Sequence, residues 1–154
     1  MIRLANMGDA KAIQKLVNSY AKQGEMLQLS LNEIYEKIFE FAIWEEDERI
    51  IGCCALHPAW EDLAEIRSLA VDSSSHKKGV GKALVGYCLN RAVEFGITNI
   101  FALTYKPEFF KKLGFDEISK DLLPKKIWSD CLKCPMFPDC DEIAMMRKFD
   151  ETSK

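Results

Sequence analysis

Glu65 to Leu84 reads EIRSLAVDSSSHKKGVGKAL, and this run decides the fold. Leu69, Ala70 and Val71 are small or branched apolar residues ending at Asp72, the pattern of a buried strand that stops at a turn. Ala83, Leu84, Tyr87, Cys88, Ala92 and Phe95 then recur at helical spacing. Between them, Gly79 and Gly81 stand among Lys77, Lys78 and Lys82. Glycines at the first turn of a helix leave bare N–H groups at the positive end of its dipole. The spacing predicts a site for an anion the size of a pyrophosphate. It is not a Walker A loop, because no glycine lies five residues before the Gly81-Lys82 pair. It also lacks the first glycine of a dinucleotide fingerprint.

A chain of 154 residues with 48% apolar composition can bury one substantial core. No apolar run approaches the roughly 20 residues that span a bilayer, and MIRLANMGDA has no signal-peptide hydrophobic region. A cytoplasmic protein without a membrane partner is expected. The net charge of −3, from 21 basic and 24 acidic residues, argues against a nucleic-acid partner. The basic cluster at 76–82 stands out against that background.

Six cysteines fall into two sets. Cys53, Cys54 and Cys88 lie within apolar patterns and are expected to be buried and inert. Cys131, Cys134 and Cys140 lie in a Pro-rich segment, 128–141. Three thiols there are read as free or redox-sensitive ahead of structural zinc, since no histidine follows His76 to complete a site.

Along the chain, Arg3–Ala5 reads as a strand. Asp9 caps a helix carrying Ile13, Leu16, Val17 and Tyr20 on one face, ended by Gln23-Gly24. Ser30 and Glu33 form a capping-box signature for a second helix. Phe41–Glu45 and Arg49–His57 read as a hairpin about Glu46-Asp47-Glu48, followed by a loop from Pro58 to Asp62. Then come the strand and helix of the opening run, the helix closed by Gly96. Asn99–Thr104 is a strand, Pro107–Leu113 a helix stopped by Gly114, and Ile143–Arg147 a last strand. Alternation of this kind implies an α/β (α+β) fold: one domain over residues 1–154, a mixed central sheet with helices on both faces.

The run His76-Lys77-Lys78-Gly79-Val80-Gly81 resembles the coenzyme A motif of the GCN5-related N-acetyltransferases, whose pattern is Arg or Gln, two residues, Gly, one residue, Gly or Ala. The first position departs from it: His76 carries less dependable charge than Arg. The element order is also that family's. The segments GCCALHPAWEDLAEIRSLAVD, FALTYKPEFFKKLGF, SLNEIYEKIFEF and IWSDCLKCPMFPDCDEIAM resemble the single-domain bacterial N-acetylglutamate synthases of arginine biosynthesis. Leu29 stands where that group usually has a basic residue. Phe109-Phe110 stands where many acetyltransferases carry a tyrosine acid.

The resemblance implies acetyl-CoA as cosubstrate, held by Leu69, Ala70, Val71, His76, Lys77, Lys78, Gly79, Val80, Gly81 and Lys82. The main chain of Leu69 and Val71 would pair with the pantetheine amides, and Phe109 and Phe110 would pack the pantetheine side or the core. Acetyl transfer to an amine also needs a base and a proton for the leaving thiolate. Glu65, Arg67 and Leu69 share one strand face by the period-two rule. Glu65 is the candidate base, or else a salt-bridged strand carboxylate. Arg67 is the candidate partner of a substrate carboxylate, or a bridge to Glu65. Tyr105 is the candidate acid or a rim aromatic. Lys106 and Thr104 are candidate substrate contacts, while His57 and Trp60 border the acceptor pocket or serve a structural loop. Three functions stay open: N-acetylation of an amino acid, foremost L-glutamate; acetylation of another small amine or a protein lysine; or a non-catalytic coenzyme A-binding module. A homodimer is left open.

Overall fold

The computed structural model describes residues 1–22, 28–74, 79–123 and 142–149. Seven strands form one sheet: β1 (Ile2–Leu4), β2 (Phe41–Glu46), β3 (Arg49–Trp60), β4 (Leu63–Val71), β5 (Asn99–Thr104), β6 (Asp116–Ile118) and β7 (Ile143–Lys148). Their spatial order is β1-β2-β3-β4-β5-β7-β6. The β4–β5 neighbours are parallel and every other pair is antiparallel. Helices α1 (Ala10–Ala21), α2 (Leu31–Glu36), α3 (Val80–Glu94) and α4 (Pro107–Lys112) complete the mixed α/β architecture.

Among the described residues the strands feed three apolar clusters, one against α3, one against α1 and α2, and a third of Leu63, Phe101, Leu123 and Ala144. Ala42, Cys54, Leu56, Ala64 and Ile66 pack against Val80, Leu84, Val85, Cys88 and Ala92 of α3. Phe41, Ile43, Cys53, Ala55 and Ala70 pack against Ile13 and Val17 of α1 and Ile34 of α2. Gly52 lets α3 approach: a Cβ there would lie 2.9 Å from both Leu84 Cδ1 and Val80 Cγ1. Phe95, expected on the buried stripe of α3, is 66% exposed and lies under the Arg91 guanidinium.

Ser30 and Glu33 form the expected capping box, with the Ser30 hydroxyl accepting from the Glu33 N–H at 3.1 Å. At the other end of this layer the cap differs from expectation. Asp9 makes no side-chain cap to α1; its carboxylate instead accepts the Asn6 N–H at 2.8 Å, closing a capping box on the 3₁₀ turn Met7–Asp9. The turn between β2 and β3 is a two-residue loop with Asp47 and Glu48 both at positive φ, which matches strand twist.

Two further segments differ from the sequence reading. Pro58–Asp62 was expected as a loop, but β3 runs on to Trp60 and pairs with Leu63. Pro58 lies close to the end of the strand and its register shift, where a missing N–H is tolerated. β6 is an added three-residue edge strand beside β7, too short and too acidic to show a period. Cys131, Cys134 and Cys140 lie outside the described residues. So do His76, Lys77 and Lys78. No helix among the described residues is long and apolar enough to cross a membrane.

Candidate active site

β4 and β5 are joined by pairing only at Leu63–Asn99, Ala64–Ile100 and Glu65–Phe101. Beyond those positions the pairing stops, although β4 continues to Val71 and β5 to Thr104. The two parallel strands therefore part at Glu65, and their C-terminal halves form the sides of a fork. In open α/β sheets such C-terminal gaps are where ligands enter.

A bulge shapes the β4 side of the fork. Cys53 faces Ala70 and Ala55 faces Arg67, so two residues of β4, Ser68 and Leu69, oppose Cys54 alone. Ser68 adopts a φ of 53°, which an L-residue holds only at some cost. Its carbonyl accepts from the Cys53 thiol at 3.4 Å. The bulge changes the face of every residue after it. Glu65 and Arg67 share the α1 side as expected, but Leu69 packs with the α3 core. The period-two rule fails there because the extra residue resets the alternation.

At the strand's end, the Asp72 N–H donates to Ile51 O at 2.8 Å, which makes Val71 opposite Gly52 a non-hydrogen-bonded position. Val71 thus turns its own N–H and C=O away from β3. The Tyr20 hydroxyl of α1 donates to Val71 O at 2.6 Å and accepts from Val71 N at 3.4 Å. The turn that follows is pinned by Asp72, whose carboxylate accepts from the N–H and hydroxyl of Ser74 and from Arg49. Those bonds, the Ser74 N–H foremost, hold its carboxyl below the usual range.

α3 starts at Gly79, which has φ 73° and ψ 17°, the left-handed conformation that favours glycine, and no side chain caps the helix. The first-turn N–H groups are left without intrahelical acceptors. Among the described residues nothing lies within 4 Å of where a Cβ at Gly79 would stand. A Cβ at Gly81 would lie 3.5 Å from the Phe109 ring and 3.8 Å from Val71 Cγ2. The ring beside this turn therefore belongs to Phe109. Phe110 is 5% exposed and packs edge-on against Phe109 and Phe115 at 5.2 and 5.1 Å between centroids. Val80 is buried and Lys82 exposed. This donor set, with lysine beside it, suits a pyrophosphate.

On the α1 side of the fork, Glu65 is 8% exposed and accepts from Arg67 Nε at 2.6 Å. The bridge that the sequence left as one of two readings for Arg67 is formed. His57 occupies the position on β3 directly opposite Glu65. Its Nδ1 lies 2.9 Å from the carboxylate of Glu40, at the end of the 3₁₀ turn Ile38–Glu40. Tyr105 and Thr104 are part-buried and Lys106 is exposed; the Lys106 N–H donates to Thr104 Oγ1 at 2.8 Å. Trp60 is 63% exposed. Among the described residues no group of His, Cys, Asp or Glu is arranged to hold a metal ion. Burial pushes the Cys53 thiol up to about 12, and hydrogen bonding with Cys88, then burial, holds Cys54 well above the usual thiol range. Both are therefore inert thiols.

Sequence reasoning missed Glu40 and Tyr20. Neither is near the opening run, and both reach the site only through folding, Glu40 across 17 residues to His57 and Tyr20 across 51 to Val71.

A mixed sheet forked between its two parallel strands, with an uncapped glycine-led helix at the fork, defines an acetyltransferase fold. The profile of the acetyltransferase (GNAT) family matches residues 11–115, and the chain belongs to that family. It is an acetyl-CoA-dependent N-acetyltransferase. Among its relatives, an uncharacterized N-acetyltransferase of Chlorobaculum tepidum is 42% identical over 146 residues, covering 95% of this chain and 94% of the relative. An amino-acid acetyltransferase of Mycobacterium tuberculosis is 38% identical over 121 residues, 77% of this chain and 69% of the relative. The N-acetylglutamate synthase of Neisseria gonorrhoeae, solved with coenzyme A and N-acetyl-glutamate, superposes with a TM-score of 0.89 at 31% identity. That match covers 97% of this chain and 35% of that protein.

Proposed function

We propose that this enzyme acetylates the α-amino group of a free amino acid, L-glutamate, and so serves arginine biosynthesis in the cytoplasm. The observation that carries the reading is the placement of Glu65 at the point where β4 and β5 part, on the face opposite α3. Similarity to the amino-acid acetyltransferase of Mycobacterium tuberculosis and to a synthase solved with N-acetyl-glutamate supports the acceptor.

In this reading the pyrophosphate of acetyl-CoA rests on the N–H groups from Val80 onward, with Gly79 leaving room and Lys82 adding charge. His76, Lys77 and Lys78, which precede Gly79 in the sequence, contribute to the same anion. The pantetheine arm enters the fork along β4 beside Leu69, Ala70 and Val71, where it must displace the Tyr20 hydroxyl from Val71. Phe109 and Phe110 back the arm, Phe109 at the surface and Phe110 from the core.

An α-ammonium has a pKa of roughly 7.7–8.0, so much of it must lose a proton at neutral pH. Glu65 takes that proton. The amine nitrogen bonds to the acetyl carbon, the C–S bond breaks, Tyr105 protonates the departing thiolate, and the nitrogen's second proton returns Tyr105 to its neutral form. Arg67, Lys106 and Thr104 meet the acceptor's carboxylates, Arg67 while it also orients Glu65.

The test is release of coenzyme A thiol from acetyl-CoA across the twenty amino acids. Glutamate should give the fastest turnover. Faster turnover with another amine moves the enzyme to that acceptor, and no turnover with any amine or with protein lysine leaves a coenzyme A-binding module.

A further inference from the structure

A base buried in a fork must pass its proton on before the next turnover. Glu65 has a side chain only 10% exposed, with one oxygen held by Arg67 at 2.6 Å. Directly across the strand pair stands His57, whose side chain is 26% exposed. Residues opposed in this way project to the same face with Cβ atoms about 4.5–5.5 Å apart, close enough for contact directly or through one water.

The imidazole is also oriented. Glu40 lies 2.9 Å from Nδ1, and its side chain is 23% exposed. An ionised carboxylate only accepts, so it fixes the proton on Nδ1 and leaves the lone pair on Nε2. Glu40 from the 3₁₀ turn thus bonds His57, and Glu65 of β4 stands opposite it, with Arg67 two residues further along the strand opposite Ala55. Two bonded pairs, Glu40 with His57 and Arg67 with Glu65, are brought side by side where β3 pairs with β4.

We infer that His57 is the exit for the acceptor's proton, and that Glu40 is the residue that positions it. The inference rests on Glu65 being the base. The proton passes from the acceptor ammonium to the Glu65 carboxylate, then to Nε2 of His57. The resulting imidazolium is balanced by Glu40 and loses a proton to water, returning the ring to its starting tautomer. Each step moves one proton, and no other bond changes.

His57→Asn keeps a donor for Glu40 but cannot ionise. Its kcat should fall at least about tenfold with the KM for acetyl-CoA unchanged. Added imidazole should then raise the variant's kcat with concentration, while the wild type stays insensitive. Glu40→Gln should lose less, and should lose nothing further in the His57→Asn background. Thermal melting shows whether each variant is folded. A folded His57→Asn with full kcat, or with a deficit that imidazole leaves untouched, overturns the relay. Two-bond nitrogen–proton NMR on the ring gives a readout free of any acceptor. The protein has two histidines, and the signal lost in His57→Asn identifies the right one. The Nδ1–H form in the wild type, lost in Glu40→Gln, supports the relay; an Nε2–H form overturns it. Failure to acetylate glutamate sinks the acceptor assignment alone, since the screen's preferred amine then serves for the kinetics and the NMR stands either way.

Discussion

The two faces of β4 divide the work of the enzyme. Facing α3, Ala64, Ile66, Leu69 and Val71 are apolar and sit in a core where Gly52 lets the helix press onto the sheet. Facing away from α3, Glu65 and Arg67 form an ion pair opposite His57 and Ala55. One face holds the helix that would cradle phosphate; the other holds charge beside the fork. The difference teaches that an apolar core and a part-buried ion pair can share a single strand when each keeps to its own side. A bulge at Ser68 then returns Leu69 to the apolar side before the cofactor turn.

The sharpest way to break this division is at Glu65. Glu65→Gln keeps the shape and should lower kcat by roughly 10²–10⁴-fold. The deficit should shrink toward pH 9.5, where more of the acceptor amine is already neutral. A pH–rate profile against wild type checks this. A constant deficit from pH 7 to 9.5, or equal rates at pH 7, would make Glu65 structural and put both faces on the same footing.

Two glycines sharpen the α3 side. Gly52→Ala forces a methyl to 2.9 Å from Leu84 and Val80, and overpacking of this kind costs about 1–3 kcal/mol. Denaturant melts should show that loss, with acetyl-CoA affinity kept. Gly79→Ala meets no atom of the described residues but places alanine at φ 73°, for about 1–2 kcal/mol of strain, and adds a methyl at the start of the helix whose first-turn donors would hold the phosphate. Calorimetry should show acetyl-CoA binding weakened about tenfold or more, near 1.4 kcal/mol. If both variants behave alike, steric packing and ligand access are not separable here.

The smallest effect concerns the edge of the sheet, far from the fork. Asp9 is buried, which raises its carboxyl, but bonds from Arg3 and the Asn6 N–H outweigh burial and leave it below its ordinary value. Because the folded pKa is the lower one, the stabilisation is complete above the unfolded value of about 3.9 and is lost as pH falls through the folded value. Asp9→Asn should therefore destabilise at pH 7, and the gap to wild type should close below about pH 3.5. Melting temperatures from pH 2.5 to 7 measure it, and kcat at pH 7 should be unchanged.

Much of this was legible in the chain. Gly79 and Gly81 before an apolar helix marked the glycine-led start of α3, because only backbone conformation and spacing are needed to read it. Ser30 and Glu33 announced their capping box for the same reason: both bonds close within three residues. The apolar periods of β2, β3 and β5 placed the sheet. Glu65 could be singled out as a candidate base, or a salt-bridged carboxylate, because it lies on the strand that leads to the glycine turn; the bridge to Arg67 is formed, and the base role is the proposal.

Local pattern could not show what depends on distant partners. The Asn6 cap displaced the Asp9 expectation because Arg3 draws the Asp9 carboxylate into an ion pair. Arg67 had two possible partners, and only the folded strand brought Nε to Glu65. The Ser68 bulge arises from how β3 and β4 register, so it reversed Leu69 without any sign in the residues themselves. The fork, the Tyr20 clamp on Val71 and the Glu40–His57 pair all join segments far apart in sequence. The chain by itself determined most of the elements and the glycine-led start of α3, since those follow from neighbours along the backbone. The tertiary structure decided which charges meet at the fork, since that follows from which strands pair and where they stop.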